Sequence, residues 1–342
     1  MRTDRHSFGA FRYFIVPCEQ ISLFDTVEEK RAVAVNNFFS KLAEMKKRNW
    51  EIKSKKHLLV CNIKLSDDIF VCKFSKETTK TIFKESDDDI ENVDEPDYPF
   101  IYVIFDTTRQ IVLIELKTSV FSSLNQAKER LKTCFQHTFN LFGFEVLFEE
   151  ITDSSTFWNY IAESNGVYDL TLTLNSPNLF GGFSNTNEML KTIKQTYNNT
   201  QTTIKLSSKN PNITNLTQQN PLLNDAIEYA SAGGGEWSLT VAAKDDEKRT
   251  IKSKHNVRKV AVRKIHPKQD RKEIEKDIHK ALNRVETMLK EKKRHHGPGG
   301  KFCASVFRQN QEYHVINVHD GAYSPWLHPS RKVGAVCAPR AA

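Results

Sequence analysis

The stretch FIYVIFDTTRQIVLIELK, residues 100–117, decides the fold. Two apolar segments, residues 100–105 and 111–117, are rich in β-branched and aromatic side chains, and five polar residues from Asp106 to Gln110 separate them. Two such segments joined by a short polar turn are typical of an antiparallel hairpin. The sequence therefore predicts an antiparallel sheet built around this part of the chain.

The residues around this hairpin alternate between helix and strand patterns. Apolar residues spaced three and four apart predict helices over residues 28–47 and from Leu124 to Phe139. Short apolar segments bounded by turn residues predict strands over residues 8–16, 50–55, 58–64, 69–74, 144–148 and 167–174. This order of elements predicts an α+β fold, with mixed, mainly antiparallel sheets and packed helices.

The chain has 342 residues, which at about 150 residues per domain favours two domains. The turn-rich run Asn175-Ser176-Pro177-Asn178, followed by Gly181-Gly182, is the best candidate for the boundary. We therefore expect an N-terminal α+β domain over residues 1–178 and a C-terminal α+β domain over residues 179–296. Residues 297–342 show little regular pattern and are predicted to form an irregular tail, disordered or non-native, outside the fold.

Composition and motifs exclude several classes of protein. Hydrophobic residues make up 39% of the chain, enough for a folded core, and no apolar run approaches the roughly 18 residues of a membrane helix. The polar start lacks the apolar segment of a secretory signal, so the sequence predicts a cytoplasmic protein without membrane insertion. No phosphate-binding loop, zinc cage or nucleophile elbow occurs, and the six cysteines are predicted to be reduced and mostly in the core. We therefore expect no cofactor.

Charge is distributed unevenly along the chain. There are 50 Lys and Arg against 42 Asp and Glu, a formal net charge of +8. Residues 244–294 alone contain 19 basic and 9 acidic residues, a net charge of +10, so the rest of the chain sums to −2. Residues 85–97 (ESDDDIENVDEPD) carry eight acids and no base, which predicts a solvated acidic loop. The basic charge is therefore local, and it indicates a surface for an anionic partner.

The basic region is predicted to contain a strand over residues 251–265 and a helix over residues 268–293. In the strand, cations alternate with Val and Ile, and the helix has one apolar face and one face rich in lysine. Double-stranded DNA is the predicted partner, because its phosphates attract such a surface with little regard to sequence. The predicted DNA-binding residues are Lys252, Lys254, Arg258, Lys259, Arg263, Lys264, Lys272, Lys276 and Lys280.

An alternative function comes from the hairpin itself. Asp106 at the end of one strand and Glu115-Leu116-Lys117 on the next have the layout of PD-(D/E)xK nucleases, in which two carboxylates hold magnesium and a lysine orients the attacking water. This alternative assigns Asp106, Glu115 and Lys117 to catalysis, and Asp106 and Glu115 to the metal. The same triplet also occurs by chance, and Asp106 is consistent with the first residue of a turn. A protein-interaction scaffold is a third alternative.

Several segments together resemble the RexA-like phage-exclusion proteins of lambdoid prophages. They are FRYFIV (residues 11–16), YPFIYVIFD (98–106), a strand ending at residues 175–178, and WSLTVAAKDDE (237–247) ahead of a basic, helical region. The resemblance spans about residues 8 to 294 and contains no catalytic signature. It implies a cytosolic α+β protein that binds DNA with little sequence preference, forms homodimers and acts in abortive anti-phage defence. It also implies a membrane protein, encoded nearby, as a candidate partner.

Overall fold

The computed structural model describes residues 5–18, 27–175, 184–197, 199–244, 247–263, 265, 270–290 and 314–316. Its α-helices are α1 (Val27–Met45), α2 (Leu124–Phe139), α3 (Ser154–Glu163), α4 (Ser184–Tyr197), α5 (Pro221–Tyr229) and α6 (Arg271–Lys290). Its strands are β1 (Arg5–Pro17), β2 (Lys47–Ile52), β3 (Lys55–Lys64), β4 (Ile69–Lys76), β5 (Thr78–Glu85), β6 (Ile90–Asp97), β7 (Phe100–Asp106), β8 (Ile111–Glu115), β9 (Phe144–Glu150), β10 (Gly166–Asn175), β11 (Gln201–Ser207), β12 (Gly235–Ala242), β13 (Lys248–Lys252), β14 (Lys259–Arg263) and β15 (His314–Ile316). These strands pair antiparallel, which confirms the predicted α+β fold.

The first sheet contains eight strands in the order β14-β1-β8-β7-β4-β3-β2, with β9 also paired to β1. β1 is long enough to serve both of its neighbours on one side. Phe8 lies opposite Val260 of β14 and Ile15, on the same side, lies opposite Val146 of β9, whereas β8 pairs along the other side of β1. The predicted hairpin is present as β7–β8 and the predicted meander as β2–β3–β4. β1 therefore joins strands from three distant parts of the chain.

Alternate side chains of β1 enter two separate cores, because successive residues of a strand point to opposite faces of the sheet. Phe11 and Tyr13 point to one face, where α1 and α2 cover the sheet with a phenylalanine-rich core. Phe8 and Ala10 point to the other face, which α6 covers. Each fully buried phenylalanine stabilises the folded state by about 1.5–3 kcal/mol relative to exposure. Both faces of the sheet are therefore apolar and covered.

α6 contacts strands from distant positions of the first sheet. The Arg271 guanidinium donates to the Lys64 carbonyl at the end of β3. The Glu273 carboxylate, two residues along α6, lies 2.6 Å from the guanidinium of Arg263 at the end of β14. In a flat sheet, β3 and β14 would be about 24 Å apart, at roughly 4.8 Å for each of five steps. The sheet therefore curls around α6.

The second sheet has the strand order β13-β12-β10-β11-β15, and α3, α4 and α5 cover a core centred on Trp237. A π-helical turn over Ala230–Gly234, which continues α5, joins this unit to β1. The Arg12 Nε donates to the Ala232 carbonyl at 2.8 Å, and the Thr152 amide donates to the Ser231 carbonyl at 2.9 Å. Gly233 has a φ of +87°, and a Cβ there would lie 2.7 Å from the Cβ of Arg12. Only glycine allows this close approach of the turn to β1.

The predicted continuous strand over residues 251–265 is wrong. β13 pairs with β12 in the second sheet, whereas β14 pairs with β1 in the first. A single turn of 3-10 helix, Ser253–His255, separates them. The Ser253 hydroxyl accepts a hydrogen bond from the Trp237 amide at 3.1 Å, and the Asn256 amide donates to the Ser253 carbonyl at 2.8 Å. These local hydrogen bonds end β13 and redirect the chain to the other sheet.

The acidic residues 85–97 were predicted to form a loop, and this is also wrong. Residues 90–97 form β6, which pairs with β5 in a separate two-stranded sheet. The Thr81 hydroxyl donates to the Asp94 carboxylate at 2.6 Å, and Lys84 forms an ion pair with Glu95. These cross-strand pairs offset part of the repulsion between the acids. The hairpin is solvent-exposed, as expected for so acidic a segment.

The predicted domain boundary falls within residues 176–183, which lie outside the described residues. β10 precedes it and belongs to the second sheet, whereas β14 and α6 follow it and pack in the first sheet. The chain thus crosses between the sheets more than once, and the division at residue 178 stays a prediction. Of the tail over residues 297–342, only residues 314–316 are described, and they form β15 at the edge of the second sheet.

Candidate nucleic-acid interface

Three of the predicted DNA-binding lysines form a row on α6. Lys272, Lys276 and Lys280 are spaced by four residues, so they lie one above another on the same helix face. That face is opposite the buried face that carries Ile274 and Ile278. All three lysines are exposed, and none forms an ion pair with any residue in the described part of the chain. We call these three residues the lysine row.

The acidic side chains of α6 do not neutralise the lysine row. Glu273 and Asp277 lie 2.6 and 3.3 Å from the Arg263 guanidinium. Glu286 lies 3.0 Å from the Arg109 guanidinium, and Glu275 lies 3.7 Å from the His279 ring. Glu273, Asp277 and Glu286 therefore have arginine partners outside the row, and no acid within the described residues forms an ion pair with a lysine of the row.

Lys252, Lys254 and Lys259 form a second exposed group. Lys252 ends β13, Lys254 lies in the 3-10 turn, and Lys259 begins β14, so they follow the path of the chain from the second sheet to the first. All three are exposed and make no ion pair within the described residues. The chain thus brings these lysines to the junction of the two sheets, apart from the lysine row.

Arg258 is held differently from the lysines around it. Its backbone amide donates to the Ile151 carbonyl at 2.8 Å, and its carbonyl accepts from the Ala10 amide at 2.9 Å. The side chain is 13% exposed, and its guanidinium lies 3.5 Å from the Asp153 carboxylate. Asp153 is the N-cap of α3. Arg258 therefore ties β1, β9 and α3 together, and phosphates have little access to it. Lys264, also predicted to bind DNA, lies outside the described residues.

Asp106 is occupied by hydrogen bonds within its own turn. Its carboxylate is 3% exposed and accepts the Arg109 amide at 2.8 Å and the Arg109 Nη1 at 2.7 Å. Burial lowers the pKa of Arg109, but the hydrogen bond and charge of Asp106, with Glu286, outweigh burial and raise the pKa overall. The Arg109 carbonyl in turn accepts Arg12 Nη1 at 2.8 Å. Asp106 thus belongs to a network of hydrogen bonds and ion pairs that links the hairpin to β1 and α6.

Glu115 is buried at the other end of the hairpin. Its carboxylate accepts the Tyr102 amide at 2.7 Å and contacts His6 Nδ1. Lys117 was predicted to share a strand face with Glu115, but β8 ends at Glu115. The Lys117 ammonium donates to the Phe100 carbonyl at 3.2 Å and lies 5.2 Å from the centre of the Phe100 ring.

The structure does not bring the two carboxylates of the nuclease alternative together. Asp106 pairs with Ile111, and Glu115 lies four residues further along β8, which is about 13 Å at 3.3 Å per residue. Two ligands of one magnesium ion, each about 2.1 Å from it, lie within about 4 Å of each other. In the described ranges, no group of three or more His, Cys, Asp or Glu residues is placed to hold a metal.

Glu149 was not identified from the sequence as a residue with a shifted pKa. It lies on β9, where the two sheets are in contact. Burial raises the pKa of Glu149 to about 7, against the opposing effects of Asn175 and Lys128, and Glu150 and Glu236 reinforce the shift. No local pattern marks this residue, since the neighbours that surround it come from α2, β10 and β12. It is a carboxyl group that changes charge near neutral pH.

Comparisons with protein-family models, with curated proteins and with solved structures find no match. Among the helices of the described ranges, none combines the length and apolarity needed to cross a lipid bilayer.

Proposed function

We propose that the protein binds double-stranded DNA with little sequence preference, and that the lysine row of α6 makes the principal phosphate contacts. The observation that carries this proposal is the separation of charges on α6. Glu273, Asp277 and Glu286 are paired with Arg263 and Arg109, whereas Lys272, Lys276 and Lys280 are exposed and form no ion pair with any residue that the structure describes. Unbalanced positive charge is unfavourable unless an anionic partner uses it.

The dimensions of the lysine row suit a phosphate backbone. Two steps of four residues along an α-helix cover about 12 Å, at 1.5 Å per residue. This matches the axial length of three to four nucleotides, at about 3.4 Å each. Lysine side chains are flexible point charges, so they contact phosphates without requiring a fixed base geometry. Such contacts favour binding that depends on salt and not on sequence.

Lys252, Lys254 and Lys259 are proposed as a second set of contacts. They are exposed, they are unpaired within the described residues, and they follow one another along the junction between the sheets. Arg258 and Arg263 are left out of the proposed contacts, because ion pairs with Asp153 and with Glu273 already engage them. The residues proposed to contact DNA are therefore all lysines.

The resemblance to RexA-like proteins supports a place for this activity in anti-phage defence, in the cytoplasm. A homodimer and a membrane protein partner are further proposals from the same resemblance. No observation on the hairpin favours the nuclease alternative, because Asp106 and Glu115 are buried, hydrogen-bonded and at opposite ends of the hairpin.

An electrophoretic mobility shift on unrelated duplexes, with and without magnesium, tests the proposed function. We expect similar shifts for all duplexes and no cleavage in either condition. Cleavage that requires magnesium would support the nuclease alternative. The absence of both binding and cleavage would favour a protein-interaction scaffold.

A further inference from the structure

Two cysteines on consecutive strands of the meander are direct neighbours in the first sheet. Cys61 of β3 and Cys72 of β4 are opposite one another in the antiparallel register. The register of this pair of strands shifts immediately after Cys61, between Cys61 and Ile63, at a β-bulge. Cys72 is fully buried in the core on one face of the first sheet, whereas Cys61 is half-buried. One thiol of the pair is thus accessible and the other is enclosed.

The distance between paired strand residues suits a disulfide. Opposed residues of an antiparallel pair have Cα atoms about 4.5–5.5 Å apart, and disulfides join Cα atoms about 4.4–6.8 Å apart. The two thiols are also close enough for each to shift the pKa of the other. Bond formation therefore requires a change of side-chain torsions and no rearrangement of the sheet.

The environment gives the two thiols different reactivity. The hydrogen bond from Cys72 lowers the pKa of Cys61, burial opposes this effect and the charge of Lys64 adds to it. Burial raises the pKa of Cys72 well above its ordinary value. The thiolate is the form that reacts with oxidants, so Cys61 is the residue that reacts first. Cys134, in the same core, has a pKa raised to about 12 by burial and stays a thiol.

We propose that Cys61 and Cys72 are a peroxide-oxidised pair that closes a cross-strand disulfide between β3 and β4. In the first step the Cys61 thiolate attacks one oxygen of hydrogen peroxide, the O–O bond breaks, and the departing hydroxide takes a proton to become water. Cys61 is then a sulfenic acid. In the second step the Cys72 sulfur attacks the Cys61 sulfur, and the S–O bond breaks. The hydroxyl group leaves with the Cys72 proton as a second water. Two thiols are oxidised and one peroxide is reduced.

The test is peptide mapping of the full, reduced protein after titration with hydrogen peroxide, with free thiols blocked by alkylation before digestion. We expect one peptide pair joined through Cys61 and Cys72, a mass lower by the two hydrogen atoms that disulfide formation removes, and full reversal by dithiothreitol. This measurement needs no variant, so it does not depend on how a cysteine substitution folds. It is also independent of DNA binding.

Two variants separate the steps. In Cys72→Ser, the sulfenic acid of Cys61 has no partner thiol, so a dimedone adduct should accumulate on Cys61. In Cys134→Ser, the disulfide should form as in the wild type. The proposal is overturned if peroxide leaves both Cys61 and Cys72 open to alkylation while another cysteine is oxidised. It is equally overturned if wild-type Cys61 is converted to sulfinic acid without forming a disulfide.

Discussion

The Arg263 guanidinium lies 2.6 Å from the Glu273 carboxylate, and it also reaches Asp277 at 3.3 Å. One arginine of β14 thus pairs with two acids of α6 that would otherwise stand beside the lysine row. If the lysine row binds DNA as proposed, Arg263 would support that binding indirectly, by engaging Glu273 and Asp277, each three residues before a lysine of the row.

The first prediction follows from this relationship. Arg263→Ala should weaken DNA binding several-fold, because Glu273 and Asp277 become free to pair with lysines three residues further along the helix. Adding Glu273→Gln and Asp277→Asn to Arg263→Ala should restore most of the affinity, as measured by fluorescence anisotropy. If the triple variant binds as weakly as Arg263→Ala, then Arg263 contacts phosphate itself, as the sequence had predicted.

The second prediction concerns Asp106, whose buried carboxylate accepts two hydrogen bonds from Arg109 and thereby stabilises the fold. Asp106→Ala removes the acceptor for two hydrogen bonds and leaves the half-buried Arg109 with fewer partners, so the free energy of unfolding should fall by about 2–4 kcal/mol. Urea denaturation measures this change. Asp87→Ala, at an exposed position of the turn between β5 and β6, is the matched control and should change stability by less than about 0.5 kcal/mol.

The third prediction tests the contact between the Ala230–Gly234 turn and β1. Gly143 and Gly233 both have positive φ, but a Cβ on Gly143 meets nothing within 4 Å, whereas a Cβ on Gly233 would lie 2.7 Å from the Arg12 Cβ. Gly143→Ala should cost about 1–2 kcal/mol for the backbone conformation alone. Gly233→Ala should cost clearly more, because the Arg12 Cβ is fixed to β1. Equal losses of stability in the two variants would mean that the turn does not press against Arg12.

The fourth prediction is a dependence of stability on pH. The folded protein raises the pKa of Glu149 from 4.5 to about 7, so it binds this proton more tightly than the unfolded chain does. The contribution of Glu149 to stability is therefore complete below about pH 4.5 and is lost as the pH rises through 7. Glu149→Gln should have a higher melting temperature than the wild type at pH 8, and this difference should vanish near pH 4. Glu145→Gln, at an exposed position of the same strand, should show no such pH dependence.

Much of the fold follows from local sequence. The hairpin β7–β8, the meander β2–β3–β4 and the helices α1, α2 and α6 each carry a complete apolar pattern, and the structure forms them close to the predicted positions. The break between β13 and β14 depends on the Ser253 hydroxyl meeting the Trp237 amide. A contact between distant residues of this kind leaves no periodic signal.

The lysine row could be predicted from local sequence, because spacing by four residues alone places its members on one helix face. The partners of Arg258 and Arg263 could not be predicted. Asp153 is far from Arg258 in sequence, and the packing of α6 on β14 decides which acids of α6 meet Arg263. The distance between Asp106 and Glu115 depends on the register of the hairpin, which the D…ExK pattern does not specify.

The salt dependence of DNA affinity tests the central claim most directly. Affinity for a short random duplex should be measured by fluorescence anisotropy from about 50 to 200 mM salt, where each phosphate contact contributes a slope of about −0.9 to the log–log plot. We predict that Lys272→Ala/Lys276→Ala/Lys280→Ala, folded by circular dichroism, binds more weakly and has a slope smaller by about 2–3. Lys191→Ala/Lys194→Ala, on the exposed face of α4, should keep the wild-type slope. A folded triple variant with unchanged affinity and unchanged slope would contradict the account.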